Sequence, residues 1–114
     1  MGGKSAEREI SLLSGHEVVK NLDRKKYQVI PIVISKDGNR WQVGKNNKSL
    51  DSPTSLKKMI DIAFIAMHGP FGEDGTIQGL LEMYDIPYTG SGVLASAIGM
   101  DKIYSRKVFT QAEL

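Results

Sequence analysis

The sequence predicts a single α/β domain with an open, largely parallel sheet, on the basis of three observations. Residues 27–35 (YQVIPIVIS) and 61–67 (DIAFIAM) are β-branched and almost continuously apolar, a pattern typical of strands buried on both faces. Segments with a helical spacing of apolar residues alternate with these strands, and glycine-rich junctions connect the two kinds of segment. Such alternation in a short chain favours three layers, with helices on both sides of the sheet.

The first element is predicted to be a helix that begins near Ala6. Ser5 precedes it and is a favourable N-cap residue, while Glu7 and Glu9 bring negative charge to the first turn, where the helix dipole favours it. Apolar residues then recur at helical spacing as far as Leu22. We therefore expect the preceding glycine pair to set the start of this helix.

The middle of the chain is predicted to contain a strand, a turn and a returning strand. Pro31 lies inside the strand at 27–35 and removes one donor from its ladder. The turn signal at 36–39 leads into a short returning strand at 40–43. The polar residues 44–54 that follow predict an exposed loop.

The second half is predicted to repeat the order of strand and helix. After the strand at 61–67, a helix is expected at 76–84 and a third strand at 87–89. A final helix, with Ser91 as its N-cap, is expected over 92–111. Its side chains expected in the core are Val93, Leu94, Ala97 and Ile98.

Composition excludes several classes of protein. With 40% hydrophobic and 25% charged residues, the 114-residue chain has the composition of one domain with a modest core. The net charge of +2 is spread along the sequence, which argues against a nucleic-acid-binding surface. The chain has no cysteine, so it has neither a disulfide scaffold nor a thiolate metal site. No apolar leader or membrane-spanning stretch is present, and we expect a cytoplasmic protein.

Three glycine-rich junctions are candidates for a binding site. They are residues 2–3, 68–75 and 90–92, and each is predicted where a strand passes into a helix. In open α/β sheets, ligands bind at the carboxyl ends of the strands, beside the amino termini of helices. We therefore expect the three junctions to lie at one edge of the sheet.

Two residues of these junctions are the main candidates for substrate binding. Glu7 could bind the ammonium group of an amino-acid substrate, or it could simply complement the dipole of the first helix. His68 could donate a hydrogen bond to a substrate carboxylate, or it could be a structural histidine bonded to backbone carbonyls. The residues alone leave both alternatives open.

Other polar residues of the junctions carry weaker indications. Glu73 and Asp74 are adjacent, and such pairs more often make turn and cap hydrogen bonds than bind a metal. Lys102 could project towards a phosphate, although most helical lysines are solvated. The glycine spacing matches no phosphate-binding loop or dinucleotide fingerprint, and no metal site is predicted.

Three segments of the sequence resemble the D-alanine-D-alanine ligase family, in the same order and at similar intervals. They are GGKSAEREISLLSG, HGPFGEDGTIQGLLE and IPYTGSGVLASAIGMDK, and the related D-alanine-D-lactate and D-alanine-D-serine ligases share much of this pattern. The resemblance implies an ATP-grasp enzyme of peptidoglycan precursor synthesis. In such an enzyme ATP and magnesium activate one D-alanine as an acyl phosphate, and the amine of a second D-alanine attacks it.

The resemblance also implies roles for individual residues. Glu7 would hold the ammonium group of the first D-alanine, and His68 would lie beside that subsite as the second catalytic and substrate-binding residue. Lys102 would approach the nucleotide phosphates. The implied domains are an amino-terminal substrate-binding domain at 1–98 and the incomplete start of the central ATP-grasp lobe at 99–114.

The sequence departs from the family pattern at its start, where Met1 precedes Gly2 directly and a short apolar strand is expected. We therefore expect a sheet that lacks its first strand, and a homo-oligomer formed through the unpaired edges. Because the ATP-binding lobes are missing, we expect these residues alone to be inactive and to bind no cofactor tightly. The alternatives are a noncatalytic binding or assembly module that requires another polypeptide, or part of a D-alanine-D-lactate or D-alanine-D-serine ligase.

Overall fold

A computed structural model describes residues 1–44, 46, 48–50 and 53–114, which form an α/β domain. No helix among these residues is long and apolar enough to cross a membrane. The elements in chain order are α1 (Arg8–Asn21), β1 (Ile32–Ile34), β2 (Trp41–Val43), β3 (Lys48–Ser49), a 3₁₀ helix (Pro53–Lys58), α2 (Thr76–Met83), α3 (Val93–Met100) and α4 (Lys102–Gln111).

The sheet is a three-stranded antiparallel meander in the order β1-β2-β3. Ile34 of β1 lies opposite Trp41 of β2, and Ile32 lies opposite Val43. The returning strand predicted at 40–43 is therefore confirmed. The turn between these strands is closed by Ser35, whose backbone N–H donates to the Arg40 carbonyl oxygen at 2.8 Å.

The largely parallel sheet predicted from the sequence is not confirmed. Parallel pairing in the described part of the chain consists of two isolated bridges, Gly2 with Ile34 and Ala63 with Tyr88. The predicted strands at 61–67 and 87–89 are reduced to the second of these bridges. The physical reason is that none of the described residues forms a strand between residues 27–31 and 62–66, so the apolar composition of these two segments is not accompanied by a ladder of hydrogen bonds.

The segment predicted as an exposed loop at 44–54 contains β3 and the start of the 3₁₀ helix. The part of this prediction that concerns residues 45, 47, 51 and 52 lies outside the described residues. Leu56 of the 3₁₀ helix is 1% exposed and is one of the largest fully buried side chains. The 3₁₀ helix at the end of this polar stretch therefore supplies an anchor of the core.

The single final helix predicted at 92–111 is wrong, because Asp101 divides it into α3 and α4. Asp101 has an extended conformation, and its Oδ1 accepts hydrogen bonds from the backbone N–H groups of Ile103 (2.9 Å) and Tyr104 (3.0 Å). An aspartate that caps a new helix in this way ends the preceding one.

The core lies between β1, the 3₁₀ helix and α2. The buried apolar residues of this cluster are Ile34, Leu56, Met67, Ile77, Leu81 and Ile86. The core positions predicted on the final helix are wrong for Leu94, which is 73% exposed, and for Ala97, which is exposed. The buried residue of α3 is Ser96, whose hydroxyl donates to the Ser91 carbonyl oxygen at 3.2 Å. Val93 and Ile98 are half-buried.

Candidate functional site

The turn before α1 depends on two glycines in the left-handed region. Gly2 and Gly3 have φ angles of 84° and 95°, and the Gly3 N–H donates to the Ile34 carbonyl oxygen at 3.0 Å. A Cβ atom on Gly2 would lie 2.6 Å from that same oxygen, so a side chain does not fit there. This close approach brings the start of α1 to the end of β1. Ser5 does not cap the helix at its N-cap position, but its Oγ accepts from the Glu7 N–H at 3.0 Å.

One face of the α1 region carries three polar residues at helical spacing. Glu7, Ser11 and Ser14 are four and three residues apart and therefore lie on the same side. Ser11 is fully buried, accepts a hydrogen bond from the Gly2 N–H at 2.8 Å and donates one to the Ala66 carbonyl oxygen at 2.5 Å. Its hydroxyl thus fixes α1 against the segment that leads to His68.

The structure brings the two principal candidates, Glu7 and His68, to the same place. A Cβ atom on Gly69 would lie 2.7 Å from Glu7 Oε1, so the Glu7 carboxylate touches the residue that follows His68. Nε2 of the half-buried His68 lies 2.9 Å from Ser14 Oγ. We call Glu7, Ser14, His68, Gly69 and Glu73 the Glu7–His68 site.

The Glu7 carboxylate of this site is available to a ligand. Glu7 is exposed and makes no ion pair among the described residues. The second carboxylate beside Gly69 is that of Glu73, whose Oε2 accepts from the Gly69 N–H at 2.6 Å. One oxygen of Glu73 thus holds the loop, whereas no hydrogen bond among the described residues engages the Glu7 carboxylate.

Asp74 stabilises the loop that follows the site. Burial alone would raise the pKa of Asp74, but hydrogen bonds from the N–H groups of Phe71 (2.9 Å) and Thr76 (3.0 Å) hold that pKa below its usual value. Phe71 has a φ of 69°, and the Lys4 ammonium lies 5.1 Å from its ring centre. No three His, Asp or Glu side chains in the described part of the chain are placed to hold a metal ion.

Lys102 stands apart from these residues. It is the exposed first residue of α4, which packs against α3, and no hydrogen bond or ion pair of the described residues joins it to Glu7 or His68. Ser14, in contrast, belongs to the site and Ser11 holds the segment beside it, and neither was predicted from the sequence. Their spacing from Glu7 was the available signal, since serines on a helix face that also carries a candidate carboxylate indicate a polar contact.

A groove on another part of the molecule is lined mainly by apolar residues, unlike the polar Glu7–His68 site. This strand groove is a cavity of about 440 Å³ between residues 27–32 and 59–66 and includes neither Glu7 nor His68. At its end the Met1 amino group donates to the Ile32 carbonyl oxygen at 3.1 Å. Burial, with a smaller contribution from the charge of Arg8, lowers the pKa of this amino group to about 6.

Comparison with protein families matches this chain to the D-ala D-ala ligase N-terminus, over residues 1–58 and 44–91. A D-alanine-D-alanine ligase of Desulforudis audaxviator is 50% identical over 114 residues, which are 100% of this chain and 33% of the relative. That of Geobacter sulfurreducens is 49% identical over 109 residues, or 96% of this chain and 30% of the relative. The chain thus spans about a third of the length of these relatives.

Solved structures share the fold. The VanG D-Ala:D-Ser ligase of Enterococcus faecalis superposes with a TM-score of 0.84 at 31% identity, over 100% of this chain and 40% of that one. The D-alanine-D-alanine ligase of Bacillus anthracis complexed with ATP gives a TM-score of 0.77 at 39% identity, over 100% of this chain and 35% of that one.

Proposed function

The chain belongs to the family of D-alanine-D-alanine ligase amino termini, and we propose that it forms the first-substrate side of an ATP-dependent ligase. The product would be the D-alanyl-D-alanine dipeptide of peptidoglycan, made through an acyl phosphate. The observation that carries this proposal is the exposed Glu7 carboxylate beside Gly69, adjacent in space to the segment that carries His68. Such a carboxylate binds an ammonium group by a charge-assisted hydrogen bond.

Glu7 and His68 would divide the recognition of D-alanine. The Glu7 carboxylate would accept hydrogen bonds from the substrate ammonium, which orients the amino acid without reacting with it. The half-buried ring of His68 would lie beside the bound amino acid and donate to its carboxylate. Positioning of this kind accelerates acyl transfer because the reacting atoms are held together.

ATP and magnesium would be supplied with the lobes that lie beyond these residues in the relatives. Lys102 is the one candidate here for a nucleotide phosphate, and its exposure at the start of α4 fits that role. No three His, Asp or Glu side chains of the described residues are placed together to hold a metal ion, so we derive no step through magnesium. We propose that residues 1–114 alone bind neither cofactor tightly.

The finer architecture is part of the proposal. We place the amino-terminal domain at 1–98 and the start of the ATP-grasp lobe at 99–114, supported by the change from α3 to α4 at Asp101. The two parallel bridges support a parallel sheet whose first strand would fill the strand groove. With that groove empty, we propose that the chain forms a homo-oligomer through its unpaired edges.

A chimeric ligase tests the proposed function. Residues 1–114 would replace the matching third of the Desulforudis audaxviator relative, and phosphate release that depends on D-alanine would be measured. We expect activity in the chimera and none from residues 1–114 alone. Steady D-alanine-dependent release by the short chain would contradict its inactivity, and a folded but inactive chimera would favour the noncatalytic binding module.

The role of Glu7 is tested in the same chimera with Glu7→Gln. A charge-assisted pair is worth roughly 1.5–3 kcal/mol, so we expect the KM for the first D-alanine to rise about 10- to 100-fold. The KM for ATP should stay within about twofold, since ATP-binding residues are untouched. Glu9→Gln is the matched control, because Glu9 is also exposed in the first turn of α1. An equal loss in both variants would mean that only the helix dipole is affected.

A further inference from the structure

Ser14 makes a contact with His68 that the proposed function does not by itself require. Its Oγ lies 2.9 Å from His68 Nε2, across 54 residues of sequence, and both side chains are half-buried. A hydroxyl can donate or accept, and it therefore satisfies this ring nitrogen in either tautomer. The imidazole is thus held at one edge by a residue of α1.

The backbone on both sides of this contact is fixed independently. Ser11, one turn before Ser14, joins the Gly2 N–H to the Ala66 carbonyl oxygen through its buried hydroxyl. Ala66 is two residues before His68, so the hydrogen bond from Ser11 holds the backbone close to the Ser14–His68 contact. Ser14 and His68 are therefore brought into register by a neighbouring pair of hydrogen bonds.

We propose that Ser14 is a positioning residue that fixes the ring orientation of His68. The bond to Nε2 leaves Nδ1 as the ring atom that can meet a ligand beside Gly69. This inference rests on the proposed function for the identity of that ligand, a D-amino acid, but the Ser14–His68 contact itself does not. A partner at one ring nitrogen commonly orients the imidazole so that the other nitrogen meets the ligand.

The direct test is the 15N spectrum of the histidine rings in the 114-residue chain. In the unmodified chain we expect the Nε2 shift of His68 to be that of a hydrogen-bonded ring nitrogen. Ser14→Ala should move this shift towards the value of a ring nitrogen bonded to water, and Ser14→Thr, which keeps the hydroxyl, should restore it. His16 is exposed on the same helix and serves as an internal control whose shifts should not change.

A second measurement connects the contact to substrate. In the chimera, loss of one hydrogen bond of roughly 0.5–1.5 kcal/mol should raise the KM for D-alanine about 2- to 10-fold in Ser14→Ala, with rescue by Ser14→Thr. Unchanged His68 ring shifts in Ser14→Ala would overturn the positioning role, whatever the kinetics. Altered shifts with an unchanged KM would leave the contact established and count against the substrate role of His68. If the Tm of Ser14→Ala is much lower than that of the unmodified chain, the His68 shifts and the KM are compared in Ser14→Cys, whose thiol is a weaker hydrogen-bond donor.

Discussion

The Glu7–His68 site and the strand groove both combine residues of the α1 region with backbone outside the helices, but their polar groups are satisfied very differently. At the site, the hydroxyls of Ser11 and Ser14 join α1 to residues 66–68, and Gly69 is bonded to Glu73. Along the groove, Ile62 and Phe64 are more than half exposed, and the amino group of Met1 is buried at its end. The polar loop is therefore held by specific bonds, whereas the apolar segments that flank the groove lack a strand between them.

This difference shows that apolar composition does not by itself make a strand. The backbone N–H and carbonyl groups of Ala63 hydrogen-bond to Pro87 and Thr89, on either side of Tyr88. Because neighbouring residues of a strand direct their backbone groups to opposite sides, those of Ile62 and Phe64 point towards the groove. The parallel pairing of residues 1–3 with β1 stops where the groove begins. On this side the groove is therefore lined by backbone groups of Ile62 and Phe64 that a further strand could bond.

The largest effect expected from this comparison is that of filling the groove. A five-residue Val- and Ile-rich segment placed before Met1 would bury about three apolar side chains, worth roughly 5–9 kcal/mol, against the ordering of its backbone. With the ladder hydrogen bonds to both flanking segments, roughly 0.5–1.5 kcal/mol each, and removal of the buried ammonium, we expect a net gain on the order of 4 kcal/mol and a rise in Tm of about 15 °C. Sedimentation should show a shift from oligomer to monomer.

A Gly- and Ser-rich segment of the same length is the control for this experiment. It removes the charge from the Met1 nitrogen without filling the groove. An equal gain from both segments, or a thermally robust monomer in the unextended chain, would show that the groove does not govern association.

At the site, Ser11→Ala should destabilise the chain by about 2–4 kcal/mol. It leaves the buried Gly2 N–H and Ala66 carbonyl groups without their partner, at roughly 1–3 kcal/mol each, although alanine is the better helix former. Urea denaturation measures the change, and Ser91→Ala, at an exposed serine, is the control. If the two variants were equally stable, the serine contacts would not distinguish the site from the groove.

The buried amino group predicts a pH dependence at the groove end. Its pKa falls from 8.0 to about 6 on folding, so the unfolded chain binds the extra proton between these values. The resulting penalty of about 2–3 kcal/mol is fully present below pH 6, fades between pH 6 and 8 and is absent above pH 8. The free energy of unfolding, measured from pH 5 to 9, should therefore rise with pH. A chain acetylated at the Met1 amino group should lack this rise. A rise that is identical in the acetylated chain would assign it to other groups.

The smallest effect is expected at the loop beside the site. Lys4→Met keeps the apolar stem of Lys4 over Phe71 but removes its charge, and cation–π contacts at exposed positions are worth about 0.5–1 kcal/mol. Chemical denaturation should detect a loss of this size. Lys107→Met, at the contact of Lys107 with Tyr104 on α4, is the matched control for the same chemistry away from the site. A gain in stability from Lys4→Met would argue against the contact.

Local signals in the sequence were sufficient for several elements. The returning strand at 40–43 and the helix at 76–84 are confirmed, because a turn signal and an apolar helical period act over a few residues. The family was also recognisable from three segments and is confirmed by the match over residues 1–58 and 44–91. The roles of Glu7, His68 and Lys102 remain predictions.

Tertiary structure decided what depends on partners distant in the chain. The apolar runs at 27–35 and 61–67 were expected to form a parallel ladder, but a ladder requires a neighbouring strand, and composition does not supply one. Leu94 is exposed and Ser96 buried because burial depends on which face of α3 meets its neighbours. The sequence by itself therefore determined the family, the local turns and two candidate side chains. Only the folded chain brought Ser14 to His68, because contacts between residues 54 apart in sequence depend on how α1 packs against the segment at 66–68.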